Sequence, residues 1–223
     1  MKILALDSSG LVASVAVVEN DTLLAEYTVN YKKTHSQTLL PMLDEISNMT
    51  ELDLSTIDAI AVAGGPGSFT GLRIGSATAK GLGLALEKPL ISIPTTAAIA
   101  YNIWDTNKFV CPIMDARRNQ VYTGVYCYTD HRLDTVWEQD TMSIEALAEG
   151  LNCLDHEVIF LGDGVAVYRE KLEALLTIPF SFAPAHVNRQ RAAAVGALAE
   201  VYYKEGKIQT AEEHEPEYLR KSQ

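Results

Sequence analysis

Apolar and polar positions fall in blocks along this chain, and the blocks repeat. Lys2–Asp7 is a compact apolar run closed by an acidic residue. The small polar residues Ser8, Ser9 and Gly10 follow, then a second apolar run from Leu11 to Val18. Asn20-Asp21 reads as a two-residue hairpin turn and Thr22–Val29 as a third strand. The pattern predicts a three-strand meander with Asp7 at its first bend. Downstream, Thr34-His35-Ser36-Gln37 predicts a helix start with a capping box, Thr34 capping and Gln37 reaching back. Leu39, Leu40, Leu43 and Ile46 give that helix an apolar face, with Pro41 near its first turns, where it does least harm. Asp58–Ala63 is the next strand, entering Gly64-Gly65-Pro66-Gly67, and a helix follows from about Gly71 to Leu86.

The same grammar returns. Val110–Met114 is apolar and ends in Asp115; Gln120–Tyr128, the polar turn Thr129–Arg132 and Leu133–Trp137 complete a second meander. A helical segment Ser143–Leu151 and a strand Val158–Leu161 lead into Gly162-Asp163-Gly164 and a helix through Leu176. Each half reads β-β-β-α-β-(Gly-rich turn)-α, either a duplication or two unrelated halves sharing one order of elements. The boundary is expected between Tyr101 and Lys108, giving an α/β protein of two lobes, 1–105 and a smaller 106–223. A last helix, Val187–Tyr203, is expected to pack back across both. The polar tail from Gly206 is expected to be loosely held, although Pro216-Glu217-Tyr218-Leu219 could dock as an extended piece.

With 48% hydrophobic and 21% charged residues, the composition is that of a folded globular protein. Its 18 Lys and Arg against 29 Asp and Glu leave a net charge of −11, which argues against gripping a phosphate backbone unaided. Cys111, Cys127 and Cys153 lack C-x-x-C spacing and read as reduced thiols of a cytosolic protein. Asp7 interrupts the apolar start before a signal peptide forms, and no run approaches the roughly 18 apolar residues of a membrane span.

Candidate chemistry is sparse. Gly64–Gly75 leaves a strand and enters a helix, where backbone N–H groups can receive an anion, yet it is neither a Walker A loop nor G-x-G-x-x-G. The alternative is a tight turn that needs glycine for its backbone angles. Asp7 and Asp115 could hold a magnesium–phosphate group, with Ser8, Ser9, Gly65, Gly67 and Arg118 completing a nucleotide site, or could cap turns at strand ends. Gly71, Gly75, Ala79 and Gly83 form a small-residue stripe that suits either the chain's own sheet or a partner helix. No pair among the five histidines has metal-site spacing on a helix, and no G-x-S-x-G occurs. No catalytic residue and no metal site are expected.

The duplicated meander with Asp at each bend resembles the actin/Hsp70-like (ribonuclease H-like) superfamily. Within it, Leu4–Ser9 (LALDSS), His35-Ser36 with Leu39-Leu40-Pro41, Gly65–Gly75 (GPGSFTGLRIG), Asp115–Arg118 (DARR) and Pro216–Arg220 (PEYLR) resemble the TsaB (YeaZ) family of tRNA threonylcarbamoyladenosine biosynthesis. The resemblance spans essentially the whole chain. It implies a paralogue of the transferase TsaD, whose H-x-x-x-H metal pair falls here on Thr95 and Ile99. The implied role is a non-catalytic partner that binds TsaD directly, joins TsaE in a ternary complex and meets tRNA only through that complex, with homodimers when alone. ATP or ADP would then lie at the shared interface and not in a cofactor site of its own. The implied pairing surface is His35, Leu39, Met42, Leu43, Ile46, Gly71, Arg73, Gly75, Ala79 and Gly83, where Gly75→Leu is expected to block pairing and spare the fold. The competing reading is a stand-alone ATPase or small-molecule kinase of the superfamily.

Overall fold

The computed structural model describes residues 1–31 and 35–219, and it divides into two compact units, Met1–Ala98 with Gln190–Tyr218, and Ile99–Arg189. In the first unit β1 (Lys2–Asp7), β2 (Val12–Glu19) and β3 (Thr22–Asn30) form an antiparallel meander. After α1 (Leu39–Thr50), β4 (Ala59–Gly65) pairs parallel to β1; after α2 (Phe69–Leu86), β5 (Leu90–Pro94) pairs parallel to β4. The sheet order is β3-β2-β1-β4-β5.

The second unit repeats this. After the short helix α3 (Thr95–Ala100) come β6 (Phe109–Asp115), β7 (Gln120–Thr129), β8 (Arg132–Ser143), α4 (Ile144–Leu154), β9 (Val158–Leu161), α5 (Gly164–Leu175) and β10 (Phe180–Phe182). Its sheet, β10-β9-β6-β7-β8, is the first sheet's order read from the other edge. Both hairpins turn on two residues with positive φ, Asn20 (48°) with Asp21 (61°) and Asp130 (50°) with His131 (62°). Such turns match the twist of the flanking strands.

β1, β2 and β4 are covered on both faces, which is why they read as unbroken apolar runs. On one face Leu4, Leu6, Val15, Val17, Ile60 and Val62 meet Leu39, Met42, Leu43 and Ile46 of α1 and Ala79 of α2. On the other lies α6 (Ala192–Lys204), close enough that a Cβ on Gly196 would stand 2.7 Å from Val18 Cγ2 and 3.2 Å from the Ala5 Cβ. The second core is built on Cys111, Ile113, Val121, Leu147, Leu151 and Phe160.

Four expectations are revised. The first long helix starts at Leu39 after a single 3₁₀ turn, His35–Gln37, with Thr38 at its N-cap and no side-chain cap. Pro41 is the reason, because its ring would clash with the carbonyl of residue 37 in a continuous α-helix. The predicted Thr34 cap lies outside the described residues. The chain leaves the first unit within α3, slightly before the expected boundary. The last helix begins at Ala192, not Val187, and packs on β1, β2 and β5 of the first sheet. Before it, the Asn188 carbonyl accepts from the Gly162 N–H (3.0 Å) and Arg189 donates to the Gly162 carbonyl (2.7 Å), so this segment serves another turn instead of a helix. The tail is docked: Gln209 bridges Leu90, Ala211 joins the core, and Glu217 N–H donates to the Gly64 carbonyl at 2.7 Å.

The start of α6 is set by two side chains from the sheet. Ala192 N–H donates to Ser14 Oγ (2.9 Å) and Ala193 N–H to Glu26 Oε1 (3.1 Å), while Arg191 forks onto the same Glu26 carboxylate. Glu26→Ala should therefore cost about 1–3 kcal/mol, because it leaves both a helix-end N–H and a half-buried guanidinium without their acceptor. Urea unfolding of the variant against the parent chain measures it.

Candidate functional site

The glycine-rich segment and the first bend of the sheet form one structure. β1 ends at Asp7, and Asp7 Oδ1 accepts from both the Ser9 N–H (2.9 Å) and the Ser9 hydroxyl (2.7 Å). Asp7, Ser8 and Ser9 are wholly or almost wholly buried. Ser68 N–H donates to the Ser9 carbonyl at 2.7 Å, and the Ser8 hydroxyl donates to the Gly71 carbonyl at 2.9 Å. Ser68 Oγ caps α2 by accepting from the Gly71 N–H, and Gly65 N–H donates to Thr95 Oγ1 at 3.1 Å. The Gly65, Ser68 and Gly71 N–H groups thus find acceptors inside the protein.

The glycines are set by backbone approach. A Cβ on Gly67 would lie 2.2 Å from the Ser9 carbonyl oxygen, one on Gly71 2.1 Å from that of Ser8, and one on Gly75 2.5 Å from Ser8 Oγ. At Gly65 the backbone also requires glycine, with φ of +125° and the Glu217 carbonyl where a Cβ would go.

The second unit repeats the bend with different neighbours. Asp115 Oδ1 accepts from the Arg117 N–H (2.9 Å) and from the Tyr168 hydroxyl (3.2 Å), and Oδ2 pairs with the Arg117 guanidinium at 3.2 Å. Arg117, Arg118 and Asn119 all have positive φ. The Asp115 N–H donates to Asp163 Oδ1 at 3.2 Å. Burial pushes the Asp163 carboxyl up, and burial followed by the Asp115 charge pushes the Tyr168 phenol up. Asp7 and Asp115 therefore make the same Asp(i)-to-N–H(i+2) turn, the capping role, one in each unit. The contacts made by the Tyr168 and Thr95 hydroxyls were not foreseen; a hydroxyl that closes a turn from a distant helix leaves no mark on local sequence.

The expected pairing residues divide. Leu39, Met42, Leu43, Ile46, Gly71, Gly75, Ala79 and Gly83 are buried within the first unit. The side chain of His35 lies outside the described residues. Arg73 is exposed, its guanidinium 4.3 Å above the Phe69 ring. The outward face of α2 is Thr70, Arg73, Ala77, Gly81 and Leu84. Gly81 differs from the other helical glycines, since a Cβ there would meet nothing within 4 Å.

Among the described residues no three His, Cys, Asp or Glu side chains come together as a metal site, and no helix is long and apolar enough to cross a membrane. Where the resemblance would put the TsaD metal pair, Thr95 is buried and accepts from Gly65, and Ile99 is a buried aliphatic chain. These residues do not fit a metal. Burial pushes the Cys111 thiol up to about 12, which makes it unreactive at neutral pH.

Two glycines of one helix should answer the same substitution with opposite sign. Gly71→Ala drives a methyl into the Ser8 carbonyl and should cost about 3 kcal/mol or more. Gly81→Ala should add about 1 kcal/mol, because it removes only the helix penalty of glycine. Thermal unfolding of the two variants checks both. Gly75→Leu belongs with Gly71→Ala and should damage the fold itself, contrary to the expectation that it would act on pairing alone.

The family model described as "TsaD: tRNA N6-adenosine threonylcarbamoyltransferase" matches residues 22–223. A Bacillus subtilis protein named tRNA threonylcarbamoyladenosine biosynthesis protein TsaB is 35% identical over 176 residues, 79% of this chain and 77% of that protein. The Escherichia coli protein of the same name is 33% identical over 170 residues, covering 74% and 72%. The solved structure of YeaZ from Pseudomonas aeruginosa superposes with a TM-score of 0.84 at 28% identity, over 98% of this chain and 99% of that one. A ROK hexokinase from Thermus thermophilus, 14% identical with a TM-score of 0.52 over 92% and 100% of the two chains, shares the fold alone. With this duplicated two-sheet architecture and these relatives, the chain belongs to the TsaB (YeaZ) family, within the reach of the TsaD family model.

Proposed function

We propose that this chain acts in the cytoplasmic biosynthesis of threonylcarbamoyladenosine in tRNA, as a partner subunit of the transferase TsaD and not as the transferase. The observation that carries this reading is the helix turn at Thr95 and Ile99. Both side chains are buried, and the Thr95 hydroxyl accepts from the Gly65 N–H, so the turn serves packing where the paralogue would bind its ion. Asp7 and Asp115 each cap their own bend, which leaves the stand-alone ATPase or kinase without support. On this reading TsaE joins as a third component, tRNA is met through the complex, and ATP or ADP lies at an interface shared with the partner.

The pairing surface we favour is the outward side of α2, with Ala77 and Gly81 allowing close approach of a partner helix and Arg73 and Leu84 flanking them. Leu40 and Met49 of α1, 54% and 77% exposed, offer further apolar contact. An exposed glycine inside a helix costs about 1 kcal/mol relative to alanine, and the chain's own packing gives no reason for it. The same face would serve a homodimer when TsaD is absent.

Reconstitution with TsaD, TsaE, threonylcarbamoyl-adenylate and tRNA tests the role. The chain alone should form no threonylcarbamoyladenosine, and its omission should abolish synthesis; full synthesis without it would remove the proposal. For the surface, Gly81→Leu should leave the melting temperature unchanged or raised while weakening TsaD association at least tenfold, about 1.4 kcal/mol. Unchanged association would place the interface elsewhere.

A further inference from the structure

The docked tail contains a titratable group held in an unusual setting. Gln209 pairs with Leu90 in both directions (2.8 and 2.9 Å), so the tail covers part of the outer edge of β5, the last strand of its sheet. Thr210 and Glu213 close a turn on each other, and Ala211 packs into the core, 3.5 Å from where a Cβ on Gly83 would stand. His214 follows, only 1% exposed. Its Nδ1 lies 2.7 Å from Gln209 Nε2; an amide nitrogen only donates, so Nδ1 accepts and the ring is neutral with its proton on Nε2. That Nε2 is buried with no hydrogen-bond partner among the described residues.

The charges around the ring disfavour a second proton. From α2, Lys80 reaches over the tail and donates to the His214 carbonyl (3.0 Å) and the Glu212 carbonyl (3.4 Å). The tail itself brings Glu215, which opposes that effect, and Glu212 and Glu213, the latter committed to Thr210. Glu87 and Lys88 stand at the corner between α2 and β5. Protonation would turn the Nδ1 acceptor into a donor facing the Gln209 amide, and would set a buried cation beside Lys80.

We propose that Gln209–Tyr218 is a pH-keyed strap, closed on the edge of the first sheet while His214 is neutral and released when the imidazole is protonated. Beyond His214 the strap is held by the Glu217 N–H on the Gly64 carbonyl and by Tyr218 against Phe69, ring centroids 5.0 Å apart. Its release bares Leu90 and the Gly83 end of the small-residue stripe, an apolar strand edge of the kind that pairs with other chains. Burial first, and then Lys80, holds the docked imidazole below its ordinary 6.5. The released strap therefore binds a proton that the docked one does not, in the window between 6.5 and the lower docked value. Docking is at full strength above that window and weakens about tenfold per pH unit within it.

Amide hydrogen exchange on the intact chain, expressed as protection factors for Gln209 and Glu217, tests this alongside NMR titration of the His214 ring. Protection should fall about tenfold per pH unit through the window and then level off. His214→Asn, which keeps a side-chain acceptor but has no proton to gain, should make protection independent of pH. Flat protection in the parent chain, or the same fall in His214→Asn, would overturn the proposal. Should the Asn variant fail to hold the strap at neutral pH, the parent ring decides: a depressed titration that moves with the Gln209 and Glu217 amides supports it, and an ordinary titration ends it.

Discussion

The contact on which the first lobe depends is backbone against backbone. The bend Asp7–Ser8–Ser9 lies directly under the turn that opens α2, with the Ser9 carbonyl bonded to Ser68 N–H and the Ser8 carbonyl where a Cβ of residue 71 would be. Two polar turns approach this closely only if one of them gives up its side chains, and Gly67, Gly71 and Gly75 do so. That approach fixes α2 against the sheet, and α2 in turn carries the docked tail on one side and an open face on the other. Glycines that resemble a phosphate loop on paper are here the condition for packing one turn on another.

The two lobes share a topology and a bend but have spent them differently. Asp7 is sealed beneath α2, whereas Asp115 is bonded to an exposed Arg117 and to the Tyr168 hydroxyl, with the half-buried Asp163 behind its N–H. A carboxylate that accepts the N–H two residues on closes a strand end in both cases.

The order of elements along the chain, the two hairpins and the apolar runs were legible from sequence because each rests on local physics: alternation or continuity of apolar residues, positive-φ turn residues, and glycine between a strand and a helix. The direction in which α2 turns its small residues was not. Gly71, Gly75, Ala79 and Gly83 mark a face that something approaches closely, and periodicity is blind to whether that something is the chain's own sheet or another protein. The outward pair Ala77 and Gly81 carries the same local signature and differs only in what lies beyond it.

The sequence by itself determined the repeated order of elements, the family resemblance and the lack of spaced metal ligands. Tertiary structure alone decided where α6 begins, since Ser14 and Glu26 on neighbouring strands supply its caps. It also decided that a polar C-terminal segment is held, because Gln209, His214 and Glu217 find their partners on elements more than a hundred residues earlier or within the strap's own fold. Local sequence sets the conformations a segment prefers. Which polar atoms are satisfied, and which small residues are enclosed, depends on contacts between residues far apart in the chain.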